Sequence, residues 1–200
     1  MDDIVARAMQ KWPNVPDVYG WLRLDRRGNW LVKGRAAAAD GTPTFERIGN
    51  AAVIEFIGRN YTRDARGRWY FQNGPQRVFV RPDYLPLVYR LEDGLVAHTG
   101  ARAGPPRAAW LDEAGAMILE TDAGPGLLSD RDLPAVAEAF TDALGRRVED
   151  DPLALAARGR LRVTLATTTL AVGTLRAAEA PARFGFDPAP APRPGEPDCA

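Results

Sequence analysis

Cysteine, histidine and serine are almost missing from this chain. Cys199, His98 and Ser129 are its only examples in 200 residues. One cysteine excludes a disulfide within the chain and a thiolate metal cluster. One histidine cannot build a histidine-based metal site, and a solvent-exposed, unremarkable role is expected for His98 in its linker-like stretch. Ser129 lies ahead of Asp132 and an apolar helical pattern, the setting of a helix cap. No G-x-S-x-G elbow surrounds it, which excludes a serine triad. Lysine is scarce too: apart from Lys11 and Lys33, every one of the 26 cations is an arginine. Net charge is zero, with 26 basic and 26 acidic residues. That lacks the basic surplus of a dedicated nucleic-acid binder, so no nucleic-acid partner is expected. No segment approaches the roughly 18 consecutive apolar residues of a spanning helix. The acidic start, Met1-Asp2-Asp3-Ile4, is followed by no apolar run. Neither a signal peptide nor a membrane anchor is expected, and the expected location is the cytoplasm. Gly41-Thr42-Pro43 and Gly124-Pro125-Gly126 match no nucleotide fingerprint and read as turns. No cofactor and no metal are expected.

What is present suits a globular protein: 46% hydrophobic and 26% charged residues in a length that can bury a real core. Residues 2–12 read as an amphipathic helix with Ile4, Val5, Ala8, Met9 and Trp12 on one face. Residues 21–25 and 30–33 read as a hairpin around Arg26-Arg27-Gly28-Asn29, and 34–44 as a loop. Asn50 is placed to cap a helix running to about Arg63. Gly67 to Pro82 is a hairpin turning at Asn73-Gly74-Pro75, because Asn-Gly tolerates the backbone angles a tight hairpin needs. Leu87 to Leu91 makes a further strand. The second half repeats this order. Leu111-Asp112-Glu113-Ala114-Gly115 matches Leu24-Asp25-Arg26-Arg27-Gly28, Ser129 to Leu144 matches the first helix, and Arg160 to Leu175 matches the hairpin. Ala182 to Phe186 then matches Leu87 to Leu91. The fold class expected is α+β, two tandem β-rich domains of similar β-β-α-β-β-β order, mostly antiparallel. Boundaries fall at 1–97 for the first domain and its leading helix, 98–107 for a linker, and 108–187 for the apparent duplicate. A disordered proline-rich tail spans 188–200.

Three regions carry candidate chemistry. On the hairpin, Trp69 and Phe71 alternate with Tyr70, giving either a core face or a stacking platform beside Trp21 or Trp30. Asn73, Gln76 and Arg77 cluster at the hairpin end, where an arginine with two amides suits a phosphate or carboxylate. Arg81, four residues on, extends a cationic stripe. Arg47, Arg59 and Arg63 flank the first helix and read first as a solvated face. The carboxylates Asp112-Glu113, Asp130 with Asp132, and Glu149-Asp150-Asp151 have no spacing that selects a metal, and surface solvation explains them.

The series Asp25-Arg26-Arg27-Gly28-Asn29-Trp30, Asp64-Ala65-Arg66-Gly67-Arg68-Trp69-Tyr70-Phe71, Gly74-Pro75-Gln76-Arg77-Val78-Phe79-Val80 and Tyr84-Leu85-Pro86-Leu87-Val88 resembles an uncharacterised proteobacterial family, a domain of unknown function. The resemblance covers residues 20–140 and is strongest between 60 and 91. It implies a duplicated β-rich fold whose second copy is similar to a pleckstrin-homology-like barrel. It also implies a cleft between the copies for a small, nucleotide-like ligand in signalling. Gln76-Arg77 stand where that family has Glu-Lys.

Two principal function classes follow. One is a non-enzymatic ligand-binding or regulatory protein with an anionic, nucleotide-like ligand held between the domains by Trp21, Trp30, Arg47, Trp69, Asn73, Gln76 and Arg77. The other is an enzyme that uses carboxylates and arginines on a phosphorylated or sugar-like substrate. A protein-interaction module working through an exposed sheet edge is a third. The scarcity of His, Ser and Cys favours the first, with no catalytic residues assigned.

Overall fold

A computed structural model of the chain describes residues 1–148 and 151–196. Cys199 and the Glu149-Asp150 part of one carboxylate run lie outside the described residues. The chain divides into two compact units, Met1–Pro86 joined by the C-terminal segment from Gly185, and Leu87–Phe184.

The first unit runs α1 (Asp3–Lys11), β1 (Val18–Leu24), β2 (Trp30–Ala37), β3 (Pro43–Arg47), α2 (Ala51–Arg59), β4 (Tyr61–Arg63), β5 (Trp69–Asn73) and β6 (Gln76–Pro82). Its six strands form one sheet in the order β3-β2-β1-β6-β5-β4. Only β1 and β6 pair in parallel. Asn50 caps α2, its Oδ1 accepting from the Val53 N–H at 3.2 Å. In α1, Val5 is buried, while Ile4 and Trp12 stay exposed. One face of the sheet packs Leu22, Leu24, Trp30, Ile57, Phe71 and Val80 into a core. The other carries a smaller cluster of Tyr19, Tyr70 and Phe79.

The second unit runs β7 (Leu87–Glu92), β8 (Gly94–Ala97), β9 (Ala108–Leu111), β10 (Met117–Thr121), β11 (Gly124–Leu128), α3 (Leu133–Glu138), β12 (Phe140–Thr141), α4 (Pro152–Ala157), β13 (Leu161–Leu165), β14 (Thr168–Thr174) and α5 (Ala180–Phe184). Its sheet order is β12-β13-β14-β9-β10-β11-β7-β8. Read from β11 back to β12, that order repeats the first sheet from β3 to β4. The parallel join between β14 and β9 repeats the one between β6 and β1. The chain is therefore an α+β fold with an internally duplicated β-rich plan, and β7 and β8 are added beyond the repeat.

A single turn design is used twice in each copy. In Asp25-x-x-Gly28, Asp64-x-x-Gly67, Asp112-x-x-Gly115 and Asp142-x-x-Gly145, the glycine N–H bonds back to the aspartate carbonyl. The aspartate Oδ1 accepts the backbone N–H groups two and four residues on, at 2.7–3.0 Å. Each glycine has φ between 76° and 81°, the left-handed region that a side chain disfavours.

The repeat has a third strand before its helix, so the order is β-β-β-α-β-β-β. Residues 34–44, expected as a loop, supply the end of β2 and the start of β3; Pro43 opens β3, and an edge strand tolerates a proline at its first residue. Strand β11 carries the Gly124-Pro125-Gly126 run read as a turn. A Cβ on Gly126 would lie 2.3 Å from the Tyr89 ring, so the glycine lets that ring lie against the strand. Leu87 to Leu91 pairs with β11, not with the first sheet. The Ser129–Leu144 helix shrinks to α3, because the Asp142 turn takes its last residues and leaves Leu144 exposed. Ala182 to Phe186, expected as a strand, lies mostly in α5. Among the described residues, no helix is long and apolar enough to cross a membrane.

Candidate functional site

The site begins with strand parity in the first unit. Along β5 and the residue before it, Arg68, Tyr70 and Gln72 point to one face; Trp69 and Phe71 point to the other. On β6, Arg77 and Phe79 sit opposite Gln72 and Tyr70 in register. These residues and Tyr19 of β1 share the face away from α2. The aromatic rings form its floor: Tyr19 stacks on Phe79 with centroids 4.6 Å apart, and Tyr70 tilts against Phe79 at 5.6 Å. The arginines lie over that floor. The Arg68 guanidinium is 4.3 Å from the Phe79 centroid and that of Arg77 is 5.1 Å from Tyr70. Both distances suit a cation on a ring face.

A cleft of about 460 Å³ opens on this face, lined by Met9, Pro13, Val15, Asp17, Arg66, Arg68, Gln72, Pro75, Arg77 and Glu196. Arg68 is its buried anchor, with a side chain 5% exposed. Its Nε donates to Asp64 Oδ2 at 2.8 Å, and its Nη1 donates to the Tyr19 hydroxyl at 2.9 Å and to Glu196 Oε2 at 3.4 Å. Burial works against the Arg68 charge, but the Asp64 hydrogen bond and charge hold its pKa above the usual guanidinium value. Arg66 is more open and donates to Glu196 Oε1 at 2.9 Å. Glu196 also accepts the Arg193 N–H at 3.1 Å. The Arg66 hydrogen bond, with that N–H and the charge of Arg68, brings the Glu196 pKa down to about 2. Asp17 behaves in the opposite way. Burial raises its pKa, and the charges of Arg77 and Arg68 only partly offset that.

Gln72 is fully buried. Its Nε2 donates to the Gly74 carbonyl at 2.9 Å, which fixes the amide orientation. Among the described residues, its Oε1 has no hydrogen-bond partner.

Glu196 reaches this face because the proline-rich C-terminal segment folds back on the first unit. Phe186 is buried, and the Asp187 N–H donates to the Gly67 carbonyl at 3.0 Å. A Cβ on Gly67 would come 2.0 Å from the Gly185 carbonyl oxygen. So close a backbone contact requires glycine at 67. The described part of the expected tail, 188–196, is thus part of the first unit.

Of the residues singled out in the sequence, Arg77 lines this cleft. Gln76 alternates to the other face and donates to the Pro16 carbonyl at 3.0 Å. Asn73 is exposed at the hairpin tip. Trp30 and Trp69 are buried in the aromatic packing around Tyr61, each 5.0 Å from its ring. Trp21 is exposed beneath Lys33, and Arg47 is exposed on β3. The amide that meets Arg77 is therefore Gln72, its cross-strand partner. The same two-residue alternation could have found Arg68 and Gln72; nothing local pointed to Asp17 or Glu196. Among the described residues, no group of three or more His, Cys, Asp or Glu side chains is placed to hold a metal.

The profile of the family DUF2944, described as "Protein of unknown function (DUF2946)", matches residues 1–191. The chain belongs to the DUF2944 family. That span is wider than the 20–140 read from motifs, and it ends at residue 191, before Glu196. No curated protein is detectably similar to the chain. A crystal structure at 2.50 Å of a DUF1285 family protein from Silicibacter pomeroyi DSS-3 is similar at 17% identity with a TM-score of 0.47. The alignment covers 88% of this chain and 97% of that one. For this DUF2944 member, the clustered arginines held on Glu196 point to anion recognition in a binding or regulatory role.

Proposed function

We propose that this DUF2944 protein is a non-enzymatic sensor that binds a small anionic ligand in the cleft of its first unit. The observation that carries this is the convergence of Arg66, Arg68 and Arg77 on one cleft. Guanidinium groups match the geometry of phosphates and carboxylates, and their delocalised charge tolerates partial burial. Met9, Pro13, Val15 and Pro75 add apolar surface for the rest of a ligand. Nucleotide-like phosphate esters, which combine an anion with a flat apolar portion, are the first class to examine. A signalling role, and a pleckstrin-homology-like character for the second unit, belong to the same proposal.

Thermal denaturation with inorganic phosphate, nucleoside monophosphates and sugar phosphates tests it. A ligand at a hundredfold excess over its dissociation constant stabilises by about 2.7 kcal/mol. We expect a saturable shift in the wild type and its loss in Arg77→Gln, which leaves the buried Arg68–Asp64 pair in place. Equal shifts in both proteins, or none with any compound, would remove the proposal.

A further inference from the structure

Glu196 is the feature the anion-binding reading leaves unused, and its contacts are those of a ligand. A single carboxylate spans two guanidinium groups, Oε1 on Arg66 at 2.9 Å and Oε2 toward Arg68 at 3.4 Å. The Tyr19 hydroxyl adds a third donor at 3.4 Å. The carboxylate comes from a residue 130 positions along the chain from Arg66. Its segment is attached at Phe186 and Asp187 and carries prolines at 188, 190, 192 and 194. Proline restricts the backbone and lowers the entropy lost in delivering Glu196 to this place.

Charge counting shows what an incoming anion must do. Arg66, Arg68 and Arg77 face Asp17, Asp64 and Glu196, three cations against three carboxylates. An anion that simply joined them would leave a net negative site. An anion that displaced Glu196 would inherit its donors; a carboxylate would keep the balance, and a phosphate monoester would add less negative charge than by joining the site. Gln72 adds a second requirement. Gln72 lines the cleft; its Oε1 is buried and, among the described residues, has no partner, and its Nε2 is already committed to Gly74. A buried acceptor is costly when unfilled and selects strongly for a donor.

We propose that Glu196 occupies the ligand's anion position. The ligand is then a compact phosphate or carboxylate that carries its own N–H or O–H donor, displaces Glu196 from Arg66 and Arg68, and offers the donor to Gln72 Oε1. This rests on the anion-binding reading and adds both a ligand class and a built-in competitor.

Matched probes test it on the full chain by calorimetric titration: methyl phosphate against ethanolamine phosphate, and acetate against glycolate. The second member of each pair adds a donor. If the cleft is free of Glu196 for about a tenth of the time, Glu196→Gln tightens the probes about tenfold. The donor-bearing member of at least one pair binds more tightly to wild type, and Gln72→Met removes that preference, so that the two members of the pair bind alike. Gln72→Leu repeats the measurement should the methionine variant fold poorly. Unchanged or weaker binding in Glu196→Gln overturns the competitor, and equal binding within both pairs overturns the donor requirement. In either case the anion-binding reading survives if Arg77→Gln still abolishes binding. If no probe binds either wild type or Glu196→Gln, both readings fall.

Discussion

Arg68 illustrates how one side chain can serve structure and recognition together. It is buried, it grips Asp64, and it lies on the Phe79 ring. Removing one member of a buried pair leaves the other charge poorly solvated, so Arg68→Met is expected to cost about 3 kcal/mol in chemical denaturation. Arg68→Lys should recover only part of that loss, because an ammonium cannot reach Asp64, Tyr19 and Glu196 with a planar fork. Full recovery by lysine would show that charge alone matters there. Arg77 is different: it rests on Tyr70 with no ion pair among the described residues, which suits it to the binding test. Parity made half of this site legible from sequence. Arg68, Gln72 and Arg77 follow from two-residue alternation across a known hairpin, whereas Asp17 and Glu196 reach the face through tertiary packing, which has no local pattern.

At the level of elements, the Asp-x-x-Gly turns were the most readable features, because one carboxylate and one left-handed glycine define each hairpin chemically. The elements that escaped were those whose composition opposes their structure. Strand β3 begins with proline, β11 contains two glycines, and the proline-rich terminal segment looks unstructured by composition alone. Gly67 and Gly115, which hold the same place in two of these turns, separate turn chemistry from packing. Gly115→Ala meets nothing within 4 Å and faces only the strain of φ +77°, so about 1 kcal/mol is expected. Gly67→Ala has the same strain at φ +76° and must also drive its Cβ into the Gly185 carbonyl. Overpacking adds about 1–3 kcal/mol. Equal losses in urea denaturation would mean that the terminal segment is not held against this turn.

Across the molecule, the ionisable groups predict how stability responds to acid. Glu196 titrates at about 2. Asp64 is also held low, because hydrogen bonds from Arg68 and Arg66 outweigh its burial, and Asp142 is held low by Arg146. For groups depressed in this way, the stabilisation is complete above the ordinary carboxylate range and is lost as pH falls through the lowered values. The melting temperature should therefore hold from pH 7 to about 5 and fall from about 4 toward 2. Asp17 has the opposite sign. Its raised pKa means that its charged form costs stability at neutral pH, so Asp17→Asn should melt higher at pH 7 and lose that advantage below about pH 4. A lower melting temperature at pH 7 would show that attraction to Arg77 and Arg68 outweighs burial. The duplicated plan was legible at this scale from paired turns and strand order. The exchange of β7 and β8 into the second sheet was not, since strand pairing is a non-local choice.

The first unit is discontinuous in the chain, with the whole second unit encoded between Pro86 and Gly185. Synthesis therefore separates in time what the fold brings together. The arginines of the cleft emerge early, and roughly 120 residues must follow the last of them, Arg77, before Glu196 is made. At about 5–20 residues per second, that leaves an interval of about 6–24 s. Throughout it, Arg66 and Arg68 have no internal carboxylate from the terminal segment. A newborn chain thus meets the surrounding anions before it meets its own glutamate, and its first encounter with a ligand can precede its own completion.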